Sequence, residues 1–433
     1  MKIQNRVIKN VSWIVCCKII QSLLSLIVGV FTARYLGPSN YGLIQYAASL
    51  VAFALPLMQL GFNETLVQEF ISHPSREGTT LGTVLLLNVS AGIASIIGVV
   101  TFSIIANPND KETIVICFLY SLTLIFQAAE MTQYWFQAKL MSKYTSISAL
   151  LAHAVGSLYK IYLLVTSKSL VWFAITHAIE ACIIAIILIC IFYKKCDQKL
   201  SFSITVGKEM LSRSRHYISS ALMIVVFQQT DKIMLKSMLG ETAVGYYSAS
   251  ITCMAITGFL YTAIIDSARP WVLAGSKINN DVFHERFKLL SSIIILISFA
   301  QGIIMTIFSK QIVFLLFGNS FMPTSDILRV AVWYISFGNM GTVRNIWILA
   351  NDKQKYLPVI NLSGAILNII ANFLLIPLWG GLGAAVASFV TQLFSNFILC
   401  FIIKPIRKVG HLMVQSFNIK LLFNHFLTNN RFK

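Results

Sequence analysis

Charged residues are scarce in this sequence. Only 12% of the 433 residues are Asp, Glu, Lys or Arg, and only 16 are acidic, whereas 57% are apolar. A soluble globular protein carries about twice that charged fraction. The low charge content therefore excludes a soluble enzyme and predicts a membrane protein.

The sequence also lacks motifs that indicate catalysis or direct use of ATP. It contains no GxxxxGK[ST] phosphate loop, no HExxH motif and no cluster of Cys and His with metal-ligand spacing. The eight cysteines form no CxxC pair. We therefore expect no cofactor, and the energy source must be an ion gradient, the membrane potential or the gradient of a substrate.

Long apolar runs fill most of the chain and leave no room for a sizeable soluble domain. Runs of about 20 mostly apolar residues are long enough to cross a bilayer as helices. They occur at 11–33, 42–66, 80–105, 113–134, 146–166, 169–192, 216–237, 243–268, 288–308, 325–350, 357–377 and 381–403. The sequence therefore predicts an all-α membrane protein with about twelve transmembrane helices.

Lys and Arg are distributed unevenly between alternate loops. The segments on one side, which include both ends of the chain, hold 24 Lys and Arg with 7 acids, whereas the loops on the other side hold five with four acids. Because cytoplasmic loops are enriched in Lys and Arg, both termini are predicted to be cytoplasmic. The formal net charge of +18 therefore reflects topology, and no nucleic-acid partner is expected.

Two local patterns recur within the chain. Leu36, Gly37 and Gly42 recur 203 positions later as Leu239, Gly240 and Gly245, and Trp135, Ala138, Lys143 and Tyr144 recur 212 positions later as Trp347, Ala350, Lys355 and Tyr356. Two matches at nearly one offset predict two homologous six-helix bundles, residues 1–200 and 201–403, around a central cleft. Residues 404–433 form a basic cytoplasmic tail suited to the anionic inner leaflet.

Ten ionisable residues fall within the predicted spans. They are Lys18, Glu64, Glu130, Lys160, Glu180, Asp231, Lys232, Asp266, Arg329 and Arg344. A charge at the centre of a membrane helix costs about 2.5 to 3.5 kcal/mol on insertion scales, so each needs a partner, a wet cavity or a nearby interface.

The positions and spacing of these ten residues predict different roles for them. Lys18 and Arg344 have no acid on an adjacent turn, which favours a place in a transport lumen. Asp231 and Lys232 follow two glutamines, and this polar group indicates either a site facing the bundle or a helix bend. Lys160 with Glu180 on the next span is equally consistent with a structural ion pair and a functional role.

The segments TARYLGPSNYGLIQYAASL at 32–50 and QQTDKIMLKSMLGETAVGYYSAS at 228–250 carry a family resemblance. The chain resembles the Wzx-type O-antigen and polysaccharide flippases of the multidrug/oligosaccharidyl-lipid/polysaccharide exporter superfamily. The resemblance implies transport of an undecaprenyl-diphosphate-linked oligosaccharide from the inner to the outer leaflet of the bacterial cytoplasmic membrane, by alternating access. It implies membrane lipid and other polysaccharide-assembly membrane proteins as further partners.

An anionic diphosphate crossing a low-dielectric layer needs fixed cations. The multidrug branch of the superfamily typically has an acid in the first span, whereas this chain has Lys18 there, which favours an anionic cargo. The expected substrate-binding residues are Lys18, Arg344, Arg329, Lys232 and Arg34, and the expected coupling carboxylates are Asp231 and Glu180. Arg34 is also placed to anchor its helix at the outer interface.

Three other functions remain open from the sequence. A flippase of another lipid-linked precursor would use the same cations. A cation-coupled multidrug exporter predicts a carboxylate-lined bundle and tolerance of Lys18→Ala. A membrane-embedded polymerase or ligase would need a large outer loop, and the predicted outer loops are short.

Overall fold

The computed structural model describes residues 2–418, and it describes their side chains except at positions 2–12, 14, 15 and 259. The described chain is 89% helical and contains no strand. It divides into two compact units, Met1–Ile233 and Met234–Lys433. The prediction of an all-α membrane fold is confirmed.

The helices follow one another with short connections. They are α1 Lys2–Gln59, α2 Leu66–Ser72, α3 Glu77–Ala106, α4 Lys111–Ser121, α5 Thr123–Ala129, α6 Thr132–Ala138, α7 Ser142–Val165, α8 Leu170–Ala174, α9 Thr176–Lys195, α10 Ile204–Leu239, α11 Glu241–Ala255, α12 Gly258–Ser276, α13 Asn280–Ile307, α14 Ser309–Phe317, α15 Thr324–Ala350, α16 Leu357–Trp379, α17 Gly381–Leu393, α18 Leu399–Ile402 and α19 Arg407–Gln415. The boundary between the two units falls inside α10, so one continuous helix belongs to both.

Each of the twelve predicted apolar runs coincides with helical structure. Among the described residues, eight helices are long and apolar enough to cross a membrane, or nine if the bent pair Glu241–Ala255 and Leu260–Ser276 forms one span. The helix Lys2–Gln59 contains the first predicted run and most of the second. The helices α10 and α15 are not among the apolar ones, because they carry several charged side chains. Twelve crossings and cytoplasmic termini therefore stay predictions.

The glycine pattern of the internal duplication has the same backbone conformation at both positions. Gly37 has φ 73° and ψ 173°, and it interrupts α1 with a kink. Gly240 has φ 86° and ψ −179° at the start of α11. Side chains with a Cβ disfavour this region of backbone space, so a glycine is needed at each of these turns.

The Trp-containing pattern also forms the same turn twice. Leu140 and Asp352, which are 212 positions apart, both have φ 54°. The amide of Met141 donates to the carbonyl of Phe136 at 2.8 Å, and the amide of Lys353 donates to the carbonyl of Ile348 at 2.9 Å. The following Lys side chain lies over a Tyr ring in both copies, Lys143 over Tyr144 and Lys355 over Tyr356. These matching turns support two homologous halves.

The core of unit 1 gathers large apolar side chains from α2, α3, α6, α9 and α10, including Phe70, Phe136 and Phe192, together with Phe62 from the 3-10 turn Phe62–Glu64. The connection between α9 and α10 lies against α3. A Cβ on Gly78 or Gly82 would overlap backbone atoms of Lys199 or Ser201. The two glycines therefore allow the connection to lie directly on the helix.

The core of unit 2 includes residues that the sequence assigned to a tail. Val409, Leu412 and Met413 of α19 are buried with side chains of α13 and α15, and the hydroxyl of Ser292 donates to the carbonyl of Ser416 at 2.7 Å. The first part of 404–433 is therefore packed into unit 2. Positions 419–433, which carry the remaining predicted basic residues, lie outside the described residues.

Candidate transport site

A buried polar cluster in unit 1 contains one of the predicted coupling residues, Glu180. Its Oε1 lies 3.3 Å from Nζ of Lys160, and its Oε2 lies 3.4 Å from Nδ1 of His153. The other ring nitrogen of His153 lies 2.6 Å from the hydroxyl of Ser25 on α1. Glu180 is 6% exposed. Two nearby basic groups offset the cost of removing this carboxylate from water.

The packing of α7 against α9 allows Glu180 to reach these partners. A Cβ on Gly156 would overlap the carboxylate of Glu180, so only a glycine leaves room for it. His177, one turn before Glu180, places its ring 4.9 Å from that of Tyr120. The Lys160–Glu180 pair that the sequence left open is therefore formed, and His153 rather than His177 is the histidine that touches the carboxylate.

Lys18 lies on the same face of α1 as the polar cluster. Residues 18, 22 and 25 are spaced by four and three positions, which places them along one side of a helix. Lys18 and Ser22 are exposed, and Ser25 contacts His153. Among the described residues, Lys18 forms no ion pair. Lys18 lies seven positions before Ser25 of the cluster, and its exposed side chain is accessible to a ligand.

Asp231 and Lys232 lie in the last third of α10. Asp231 is 4% exposed and interacts with other groups of the protein. Lys232 is partly buried. The helix is assigned as continuous through both residues, and both alternatives, a site facing the bundle and a helix bend, stay predictions.

Arg344 is 2% exposed and lies inside unit 2. Its Nη1 donates to the carbonyl of Ser395 at 2.9 Å, and its Nη2 donates to Oδ1 of Asn345 at 3.0 Å. Ser395 belongs to a π-helical turn, Phe394–Ile398, between α17 and α18. A widened turn leaves backbone carbonyls poorly paired, and Arg344 satisfies one of them. Contact between Arg344 and a substrate requires a rearrangement of this turn.

The two arginines predicted toward the outer side have different surroundings. Arg329 donates to the hydroxyl of Ser309 at 2.9 Å and pairs with Asp326 at 3.2 Å, with 41% of its side chain exposed. Arg34 is exposed and has an interaction within the protein. The structure thus brings Glu180 together with Lys160, and it does not bring Arg329 and Arg344 into one cluster within unit 2.

Two buried carboxylates were missed by the sequence reasoning. Glu69 is 3% exposed and contacts His73, Arg76 and Arg213, at 3.2, 2.5 and 3.2 Å. Glu77 is 4% exposed, accepts from the indole of Trp135 at 2.7 Å and pairs with Lys139 at 2.5 Å. Both lie at span boundaries, where carboxylates are ordinarily solvated, and no local pattern signals their burial.

The fold defines the class of protein to which the chain belongs. The described residues are all-α and include eight or nine helices that are long and apolar enough to cross a membrane, so the chain is a multi-pass membrane protein.

The profile of the family described as "Polysaccharide biosynthesis protein" matches residues 7–274. The chain belongs to this family. It is also similar to the putative O-antigen transporter of Escherichia coli (strain K12), with 20% identity over 404 residues that cover 91% of this chain and 96% of that protein. Teichuronic acid biosynthesis protein TuaB of Bacillus subtilis (strain 168) is 22% identical over 284 residues. That match covers 64% of this chain and spans 57% of the length of TuaB.

Solved structures share the fold. The lipid II flippase MurJ in an inward closed conformation superposes with a TM-score of 0.72 at 16% identity, covering 96% of this chain and 92% of that one. An inward-facing multidrug resistance MATE family transporter of the MOP superfamily superposes with a TM-score of 0.68 at 13% identity, covering 90% and 95%. These likenesses show that the chain has the same fold as these two proteins.

Proposed function

We propose that this transporter is a flippase that moves an undecaprenyl-diphosphate-linked oligosaccharide from the inner to the outer leaflet of the bacterial cytoplasmic membrane, by alternating access. The observation that carries the proposal is the similarity to a putative O-antigen transporter along 91% of this chain. The family match and the absence of an acid in residues 11–33 support it.

The electrostatics of α1 support an anionic cargo. Lys18 is exposed and forms no ion pair within the described residues, so its charge is available to a diphosphate. Salt bridges to phosphate combine Coulombic attraction with strong hydrogen bonds. Lys18 and Lys232 are the proposed contacts of the diphosphate, with Arg34 as a contact on the release side and Arg329 and Arg344 as contacts in other conformations of the transport cycle.

Glu180 is the stronger of the two proposed coupling carboxylates, because its partners His153 and Lys160 are identified. Protonation of Glu180, or binding of a cation to it, would change its pairing with both partners and so bias the packing of α7 against α9. Transport should be measured in proteoliposomes under imposed ion gradients. Glu180→Gln should lose the gradient dependence of the unmodified protein, and an unchanged dependence would reject the assignment. Asp231 is the second proposed coupling residue.

Deletion of the gene tests the substrate. Cells without the transporter should accumulate complete lipid-linked repeat units on the inner leaflet, because synthesis continues while export stops. Unchanged lipid-linked intermediates together with increased sensitivity to cationic drugs would favour a multidrug exporter, a function that the MATE-like fold also permits. Accumulation of another lipid-linked precursor would favour a role like that suggested by the name of TuaB.

Lys18→Ala tests the proposed cation contact. We expect export to fall at least tenfold at normal membrane abundance, because one charge-assisted contact to a phosphate contributes about 1.5 to 3 kcal/mol. Lys310→Ala is the matched control, since Lys310 is also an exposed lysine but lies outside the predicted spans. Export by Lys18→Ala equal to that by the control would remove Lys18 from the site.

A further inference from the structure

Unit 1 contains a cavity of about 560 Å³. It is lined by α1, α3 and α10, all with residues of the first unit. Pockets of about 300 to 1,000 Å³ with predominantly apolar walls are typical of small-molecule sites. The cavity therefore has the size of a ligand site rather than of a packing defect.

The floor of the cavity is made of small residues on one face of α3. Ala91, Ala94, Ser95 and Gly98 line it at the three- and four-residue spacing of a helix face. A Cβ built on Gly98 meets no atom within 4 Å, so the small size of this residue leaves depth to the cavity and does not serve helix packing.

The other side chains that line the cavity are large and apolar. Phe53 of α1, Phe102 of α3 and Leu222 of α10 contribute side chains, and none of the described residues that line the cavity is charged. From Ala91 to Phe102 the lining follows α3 for roughly 16 Å, at about 1.5 Å per residue. An apolar trough of this length accommodates an extended segment of a hydrocarbon chain.

A lysine directly precedes one of the residues that line the cavity. Ile233 lines the cavity, and Lys232 comes immediately before it in the continuous helix α10. Consecutive Cα atoms are about 3.8 Å apart, so the backbone of Lys232 lies close to the apolar lining, although its side chain is not part of that lining. An apolar trough with a lysine this close complements an amphiphile with a long hydrocarbon chain and an anionic head.

We propose that this cavity binds part of the isoprenoid chain of a polyisoprenyl diphosphate, with the diphosphate beside Lys232. The inference rests on the proposed function and adds to it a site for the hydrocarbon chain. During flipping, the trough holds the chain along α3 while the cations bind the head. The carrier lipid is thereby distinguished from phospholipids by its chain as well as by its charge.

Photolabelling of the full chain in nanodiscs tests the cavity. The probe is undecaprenyl diphosphate with a diazirine in its isoprenoid chain, and labelled peptides are identified by mass spectrometry. We expect the probe to label peptides from residues 50–57 and 91–102. The extent of labelling should fall at least tenfold in the Gly98→Leu and Ala94→Leu variants. Gly29→Leu is the matched control, because a Cβ on Gly29 also meets open space but Gly29 does not line the cavity.

Competition identifies the occupant. Unlabelled undecaprenyl diphosphate should displace the probe, whereas phosphatidylglycerol and tetraphenylphosphonium at equal concentration should not. Equal labelling of Gly98→Leu and the unmodified protein, or displacement by the phospholipid or the lipophilic cation, would overturn the proposal. Undecaprenol should compete at least tenfold less well than the diphosphate, and Lys232→Met should remove that difference. A difference that persists would overturn the placement of the head.

The photolabelling experiment and the gene deletion test different claims, so each can fail without the other. Specific labelling without accumulated lipid-linked intermediates would keep the isoprenoid site and reject the flippase function. Accumulated intermediates without specific labelling would keep the function and reject the site.

Discussion

Gly156 is a residue whose lack of a side chain has an electrostatic consequence. It lies on α7 opposite Glu180, and the carboxylate occupies the space of a Cβ. The carboxylate of Glu180, on α9, thereby reaches Lys160 and His153, which lie on α7 together with Gly156. A buried carboxylate that loses such partners is strongly destabilising, because its desolvation is no longer offset.

Gly156→Ala should therefore destabilise the protein. The added methyl group forces Glu180 away from its partners, and overpacking of a close contact costs typically about 1 to 3 kcal/mol. The measurement is the apparent melting temperature in detergent. Gly29→Ala adds the same methyl group where space is open and should leave that temperature unchanged. A melting temperature of Gly156→Ala equal to that of the control would contradict the described packing.

Helix α10 contains the boundary between the two units. Its first turns are held to unit 1 by an ionic network: Arg213 pairs with Glu69 at 3.2 Å and with Glu209 at 2.6 Å, and Arg76 pairs with Glu209 at 3.2 Å. Its last turns belong to unit 2. The described ion pairs of α10 thus lie in its first turns, within unit 1.

Arg213→Ala should loosen the first turns of α10. Loss of Arg213 leaves the buried Glu69 with fewer cationic partners, so local opening becomes easier. Amide hydrogen exchange over 204–216 should accelerate at least fivefold. Arg215→Ala removes an exposed arginine two positions away that has no part in the network, and exchange should then stay as in the unmodified protein. Similar exchange in both variants would show that the network does not hold the helix.

At the scale of the whole molecule, the bias of Lys and Arg toward alternate loops predicts how the chain crosses the membrane. Reporter fusions measure it directly. Alkaline phosphatase joined at Asn107 should be active, because that turn is predicted outside, and a fluorescent protein at the C-terminus should fluoresce, because the terminus is predicted inside. A fluorescent fusion at Asn107 with an active phosphatase at the C-terminus would reverse the predicted orientation.

The sequence predicted the helices and the repeat well because both depend on local features. Apolar runs of about 20 residues specify a membrane helix wherever they occur, and the turns at Gly37 and Gly240 require glycine for their own backbone conformation. Lys160 and Glu180 could also be anticipated as a pair, since they lie on consecutive spans.

Other pairings were decided only by the tertiary structure. Arg344 bonds to the carbonyl of Ser395, 51 positions away, and Arg213 reaches Glu69, 144 positions away. Helical periodicity states which face a side chain occupies and not which distant helix packs on that face. The sequence by itself therefore determined the all-α membrane class and the positions of the charges. The packing of helices remote in sequence decided which of those charges are neutralised, because burial and partner distance arise only when the helices meet.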